Sequence, residues 1–296
     1  MTEQSSTTKR VGQFPSLVLA FLLCAFPAFA ASAPVHGLWV WKTSAVLDAP
    51  HGAAKLRDFC RAQDINEVYV SFSAKDGTSE DKHLTDLIAR LHRANIRVEA
   101  LLSSTDADEA GKPREKLLDH VRAIVQFNQR NPENRFDGIH LDIEPQQRPE
   151  NKGAGNLKFL PGLVDAWRRV RALAEPAQLT VNADIQNKLL KGSLAERKML
   201  LSALPRLTLM LYEVSSPNDG DSAEKKIDKL RSKSTELLEM AYAGLSDTNL
   251  AKMSIGLRTP DYDELLPQML QSMDTAHRSD PHYLGWARHS YNDTLK

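Results

Sequence analysis

Asp142 and Glu144 stand two residues apart in the run Phe136-Asp137-Gly138-Ile139-His140-Leu141-Asp142-Ile143-Glu144, with His140 two residues before them. In an extended chain, side chains alternate between faces. These three polar groups therefore share one face, and Ile139, Leu141 and Ile143 share the other. The strand rise places the two carboxylate Cα atoms ~6.5 Å apart. At that range one ionised carboxylate raises the pKa of its neighbour, which yields an acid still protonated near neutral pH. Carboxyl groups ~5–5.5 Å apart suit retaining sugar cleavage, and groups ~6.5–9.5 Å apart suit inverting cleavage. Side-chain direction can bring this pair into either range, so the stereochemistry stays open. The competing reading is a structural pair bonded to its neighbours, but two inward carboxylates and a histidine are costly to bury without partners. Asp137 fits a turn residue leading into Gly138.

Eight short apolar or β-branched runs surround this segment and alternate with stretches of helical period. The expected strands are Gly37–Trp41, Glu67–Phe72, Arg97–Leu102, Gly138–Ile143, Leu179–Ile185, Leu207–Tyr212, Met253–Arg258 and Tyr283–His289. Between them, stripes such as Leu84, Leu87, Ile88 and Leu91 repeat at helical spacing. Strict alternation implies a parallel sheet with helical crossovers, and eight units in this length fit a closed (β/α)8 TIM barrel, an α/β fold. An open nucleotide-binding sheet would carry a Gly-rich turn after strand one; here strand one runs into Trp41-Lys42-Thr43. The barrel reading places Thr180, Asn182 and Asp184 of strand five inward, with Thr208, Met210 and Tyr212 of strand six. Polar inward residues near strand C-termini are where barrel enzymes keep their chemistry. Only Asn292–Lys296 follow strand eight, too few for a full eighth helix, which leaves that gap to the N-terminal segment or to nothing.

With the strands placed, the central run resembles a known signature. Asp137-Gly138-Ile139-His140-Leu141-Asp142-Ile143-Glu144 looks like the DGxDxDxE motif on strand four of family 18 glycoside hydrolases, the chitinase-like barrels, with His140 where the middle Asp usually stands. Met210-Leu211-Tyr212-Glu213 resembles the family's M-x-Y-[DEN] at the end of strand six, and Trp286 lies on strand eight, where these barrels keep an indole under the cleaved sugar. The resemblance implies that Glu144 protonates the glycosidic oxygen. It implies that Asp142 orients the substrate's own N-acetyl group for attack on the anomeric carbon, and that Tyr212 donates a hydrogen bond to the acetyl oxygen. Trp39, Trp41 and Trp286 offer faces for sugar stacking. Two features depart from the family. Strand three ends Leu101-Leu102-Ser103-Ser104 without a Gly pair, and His140 would either hold Asp142 ionised or mark a branch with changed substrate or lost activity. The chain looks most like a group of secreted bacterial barrels carrying Gly-Leu-Trp-Val-Trp at strand one and Trp-Ala-Arg-His-Ser-Tyr at strand eight.

Other polar residues admit plainer roles. Asn182 and Asp184 either contact substrate or satisfy His140. Trp39 and Trp41 either plug the barrel or form a sugar platform. Arg258 and Arg288 either pair with Glu144 or meet an anionic sugar. A metal held by His140, Asp142 and Glu144 is disfavoured, because barrel metallohydrolases carry H-x-H on strand one and this chain has His36-Gly37-Leu38 there. No cofactor is expected.

The 296 residues carry 38 Lys plus Arg against 38 Asp plus Glu, so no net charge draws the chain to nucleic acid. Lys9 and Arg10, the apolar run Leu17–Phe26, Pro27 and Ala28-Phe29-Ala30 together read as a cleavable signal peptide over residues 1–30. The run is far shorter than the ~20 residues that span a bilayer. A periplasmic or secreted single domain over residues 31–296 is expected, with no membrane span after cleavage. Cys60 is then the only cysteine, which excludes an internal disulfide and fits core packing. The carbohydrate reading leads, as a secreted glycosidase on an amino-sugar polymer or related exopolysaccharide. A non-catalytic carbohydrate-binding barrel stands second and a metal-dependent hydrolase third. Sugar, linkage and oligomeric state are not written in the sequence.

Overall fold

The computed structural model describes Met1 and residues 33–73, 79–153, 157–212, 220–258 and 263–294. The expected signal peptide, apart from Met1, lies outside them. From Pro34 onward the order is β1 (Val35–Val40), α1 (Thr43–Asp48), α2 (Gly52–Ala62), β2 (Glu67–Ser71), α3 (Ser79–His92), β3 (Arg97–Ser104), α4 (Lys112–Arg130) and β4 (Gly138–Ile143). It continues α5 (Leu160–Ala174), β5 (Thr180–Gln186), α6 (Leu194–Leu201), β6 (Arg206–Met210), α7 (Ala223–Tyr242), β7 (Lys252–Arg258), α8 (Leu266–His277) and β8 (Tyr283–His289). The strands form a closed barrel in sequence order, and β8 pairs in parallel with β1. The (β/α)8 expectation holds. Among the described residues only a 3-10 turn, Tyr291–Thr294, follows β8. Tyr291 packs edge-on against Phe59 of α2, ring centroids 5.1 Å apart. No described helix is long and apolar enough to cross a membrane.

The strands are apolar toward the helices because parallel strands are buried on both faces. Ile139, Leu141, Ile143, Val181, Ala183, Ile185, Leu207, Leu209 and Leu211 all join the outer core, as does Cys60. Burial pushes the Cys60 thiol up to about 12, which keeps it protonated and inert.

The interior differs. Trp39, Tyr69, Leu101 and Ala287 form a separate inner cluster with Trp41 packed on it. Gly256 on β7 makes room for it, since a Cβ there would lie 2.9 Å from Trp39 Cη2. Strand β8 departs from simple alternation. Its register slips between Met253 and Ser254, so Tyr283 pairs with Met253 but Gly285 with Ser254. Gly285 sits at φ 144°, and a Cβ there would lie 2.0 Å from the Val35 carbonyl oxygen. This bulge inserts one residue and resets which side chains face inward.

Candidate active site

Strand β4 delivers its polar face to the barrel interior as the alternation requires, with His140 lowest and Glu144 just past the strand end. Glu144 N donates to the Ser104 carbonyl at 2.8 Å, which fixes its backbone to β3. Its half-buried carboxylate accepts from Gln186 at 2.8 Å, from Gln146 at 3.1 Å and from Gln147. Burial holds the Glu144 carboxyl above its ordinary pKa, and the charge of Asp184 adds to this against the pull of Gln186, Gln146 and Lys188. Asp142 is 8 % exposed, and its Oδ1 has no hydrogen-bond partner among the described residues. Burial, then the charges of Asp184 and Glu144, push its carboxyl well up. Tyr212 lies at the mouth, its phenol also pushed up by burial and by Asp184, Asp142 and Glu144. Two carboxyls and a phenol whose pKa values are all raised thus meet at the C-terminal end of the barrel. Such groups can give a proton or a hydrogen bond to a substrate oxygen.

Beneath them lies a buried polar column. His140 is stacked on Tyr69, ring centroids 3.7 Å apart at 21°. Its Nε2 meets Asp184 Oδ1 at 2.8 Å and its Nδ1 meets Glu99 Oε2 at 3.4 Å. Burial alone would strip its proton, but these two carboxylates raise the pKa to about 10. Glu99 also accepts from Asn182 Nδ2 at 2.6 and 2.7 Å and faces Arg206 at 3.6 Å. Burial opposes its ionisation, yet His140, Arg206 and Asn182 together hold it below its ordinary value. Arg206 in turn grips Glu67 with two nitrogens, at 3.0 and 2.5 Å.

Several sequence expectations are corrected by this arrangement. His140, Asn182 and Asp184 are only 1 %, 2 % and 2 % exposed, so they lie under the floor of the site rather than where a sugar would touch it. Asp184 satisfies His140 as expected, whereas Asn182 serves Glu99. His140 does not hold Asp142 ionised, because both its nitrogens are engaged by Glu99 and Asp184. Trp39 is fully buried and donates its indole N–H to Asp184 Oδ2 at 3.0 Å, so it is core and no platform. Trp41 is half-buried at the mouth and donates to His289 Nε2 at 2.8 Å. Trp286 faces the helices, stacked on His36 at 4.1 Å and donating to Asp274 at 3.2 Å. Arg288 also faces outward, bonded to Gln63 at 2.9 Å and lying over Phe59. The β8 bulge explains both corrections: beyond it the inward positions are Ala287 and His289. Glu213 lies outside the described residues.

Sequence reasoning missed Gln186, Gln146, Glu99, Tyr69 and His289. Glu99 and Tyr69 follow from the same period of two that selected Asp142. The glutamines lie at and beyond strand ends, where no periodicity marks them. His289 keeps Nε2 as acceptor, because an indole N–H can only donate. Burial lowers its pKa, consistent with a neutral ring beside Trp41. At the rim, Arg148 joins the loops after β3 and β4 through Asp108 at 2.7 Å and Glu109.

No family model and no curated protein matches the chain. Solved structures do. A family 18 chitinase from Pseudoalteromonas aurantia superposes with TM-score 0.54 at 11 % identity, over 88 % of this chain and 94 % of that one. A chitinase from Bacteroides thetaiotaomicron gives 0.54 at 14 %, over 87 % and 89 %. The PgaB (BpsB) glycoside hydrolase domain of Bordetella bronchiseptica gives 0.51 at 12 %, over 86 % and 94 %. The fold is a chitinase-like TIM barrel. At these identities the likeness concerns the fold, and chemistry has to be argued from the side chains.

Proposed function

We propose that this barrel is a glycoside hydrolase exported from the cytoplasm, cleaving an amino-sugar polymer or related exopolysaccharide with Glu144 as general acid. One observation carries the reading. Glu144 follows β4 as a half-buried carboxyl whose pKa is raised by burial, next to a buried Asp142 whose Oδ1 has no hydrogen-bond partner among the described residues. A protonated carboxyl at the mouth can hand its proton to the glycosidic oxygen as the bond to the anomeric carbon breaks. The substrate's acetamido oxygen then closes onto that carbon, oriented by Asp142 and by the Tyr212 hydroxyl. Glu144, now ionised, takes a proton from the water that opens the ring intermediate and is thereby restored. Trp41 is the indole best placed to meet a sugar face at the mouth.

The test is hydrolysis of a panel of N-acetylated amino-sugar oligomers and bacterial exopolysaccharide fragments, with products read by mass spectrometry for the wild-type protein and for Glu144→Gln. Cleavage by the wild type that disappears in Glu144→Gln supports the reading. Cleavage that persists in the variant overturns the assignment of the acid. Binding without turnover by the wild type moves the protein to the carbohydrate-binding class.

A further inference from the structure

The inference rests on reading Glu144 as the acid of the site. We propose that Gln186 of β5 and Gln146 are its positioning residues: by occupying Oε1 of Glu144 between them, they place the transferable proton on Oε2.

Gln186 Nε2 donates to Glu144 Oε1 at 2.8 Å, and Gln146 Nε2 donates to the same oxygen at 3.1 Å. A carboxyl oxygen has two lone pairs. Both on Oε1 are taken, so a proton there would have to displace a donor. Among the described residues Oε2 accepts from Gln147 alone, an exposed side chain, and keeps a lone pair for the proton. Gln147 is also the donor free to swing aside when a glycosidic oxygen arrives. The two amides on Oε1 are themselves held. Gln186 is the last residue of β5, in register with Met210 of β6. Gln146 is 6 % exposed and lies in the 3-10 turn Pro145–Gln147, where Gln147 N donates to the Glu144 carbonyl at 3.0 Å. Asn151 Nδ2 donates to the Pro145 carbonyl at 2.9 Å and pins that turn.

The kind of donor matters as much as its place. Among the described residues the three glutamines are the only side chains that donate to this carboxyl. An amide carries no net charge, so it orients the carboxyl without holding it ionised, as Arg206 and His140 hold Glu99 one layer below. The charged and titratable groups around Glu144 are Asp142 before it on the chain, Asp184 on β5, Lys188 past the end of β5 and Tyr212 past the end of β6. Lys188 is the one cation in this set, and its ammonium lies over the Phe159 ring, 5.6 Å from the centroid. In the transfer, the Oε2–H bond breaks and an O–H bond forms on the glycosidic oxygen. The bond from that oxygen to the anomeric carbon breaks, its electron pair passing to the oxygen. The negative charge left on the carboxylate is met by two amide N–H groups already in place on Oε1. Gln186 and Gln146 therefore act in the transition state more than on the bound substrate, and they act through Glu144.

The test uses the whole protein with 13C-labelled glutamate carboxyls, following Glu144 through a pH titration by NMR and assigning its signal from its loss in Glu144→Gln. Gln186→Met keeps the length of the side chain and removes a donor to the ionised form, so the Glu144 midpoint is expected to rise by about one pH unit. Gln146→Met, which removes the longer bond, is expected to raise it by less. A glutamine that merely walled the site would act with the opposite sign, because its loss would admit water and lower the midpoint. An unchanged or lowered midpoint in folded Gln186→Met overturns the proposal. If that variant does not fold, the direction of the shift in Gln146→Met decides in the same way. On an oligosaccharide that the wild type cleaves, Gln186→Met should lower kcat about tenfold at nearly unchanged KM. An unchanged kcat, with or without a rise in KM, also overturns the proposal. The titration needs no substrate, so its failure is distinct from a failure to cleave sugars.

Discussion

Glu99 and Asp142 line the same barrel interior, carry the same functional group and are almost equally buried, yet their pKa values are pushed in opposite directions. Glu99, with Glu67 beside it, sits in a lower layer crowded with donors: Arg206, Asn182 and the His140 imidazolium. It is held ionised. Asp142 sits in the upper layer among other acids, with one oxygen unpartnered among the described residues, and its pKa is pushed well up. Burial alone therefore does not decide what a carboxyl in a barrel does; the donors around it decide. The paired lower layer holds the strands in place. The unpaired upper layer is unfavourable for folding and available for a ligand, as expected where function and stability compete.

The contrast can be broken at several points. The largest effect is expected at Glu144→Gln, which should reduce kcat/KM on a cleavable oligosaccharide by roughly 10²–10⁴-fold, as for loss of a general acid. It should not lower the urea midpoint, since the lower layer is untouched and the raised pKa of Glu144 is itself a cost to folding above 4.5. Arg206→Met strikes that layer instead, removing the guanidinium that two buried carboxylates share and leaving Glu67 with Arg97 and Glu99 with His140 and Asn182. Equilibrium unfolding should show a loss of about 3–5 kcal/mol, and a loss under about 1 kcal/mol would mean that the column is not the fastening described here. Trp39→Phe keeps the inner ring but removes the donor to Asp184 Oδ2, for an expected cost of about 1–3 kcal/mol by the same assay. The smallest effect concerns a pairing on the outer face of the barrel. His36 meets Asp274 at 2.9 Å, and although burial opposes its charge, Asp274 and the Asp64 carbonyl raise its pKa. That stabilisation is complete below the unfolded value of 6.5 and is lost as pH rises through the folded one. Asp274→Asn should thus cost about 1 kcal/mol at pH 6 and less at pH 9, read from thermal unfolding at the two pH values.

Much of this arrangement is legible in the sequence. The period of two on β4, β5 and β6 assigned inward and outward faces correctly, because their parallel pairing is unbroken through the residues concerned. The same rule fails on β8, where the bulge changes parity between Tyr283 and Trp286 and turns both Trp286 and Arg288 toward the helices. A one-residue insertion leaves little trace in composition, although Gly285 marks where the backbone comes too close for a side chain. The fate of His140 was hidden for another reason. Its partners come from β3 and β5, 41 and 44 residues away along the chain, and only the closed barrel brings Glu99 and Asp184 to its two nitrogens. The glutamines on Glu144 escape any pattern because irregular backbone past a strand end places them.

The most direct test of the opposition between the two layers is urea unfolding of wild-type protein, Asp142→Asn and Glu99→Gln at pH 5 and pH 8. The raised Asp142 pKa means that the unfolded chain loses this proton above 3.8 while the folded protein keeps it, so the cost to folding grows with pH up to the folded value. The depressed Glu99 pKa contributes stability above the ordinary 4.5, which is lost only as pH falls through the folded value. Asp142→Asn should therefore be more stable than wild type, with the larger gain at pH 8, while Glu99→Gln is less stable at both pH values. An Asp142→Asn protein that is less stable than wild type, or whose gain does not change between pH 5 and pH 8, would contradict the account.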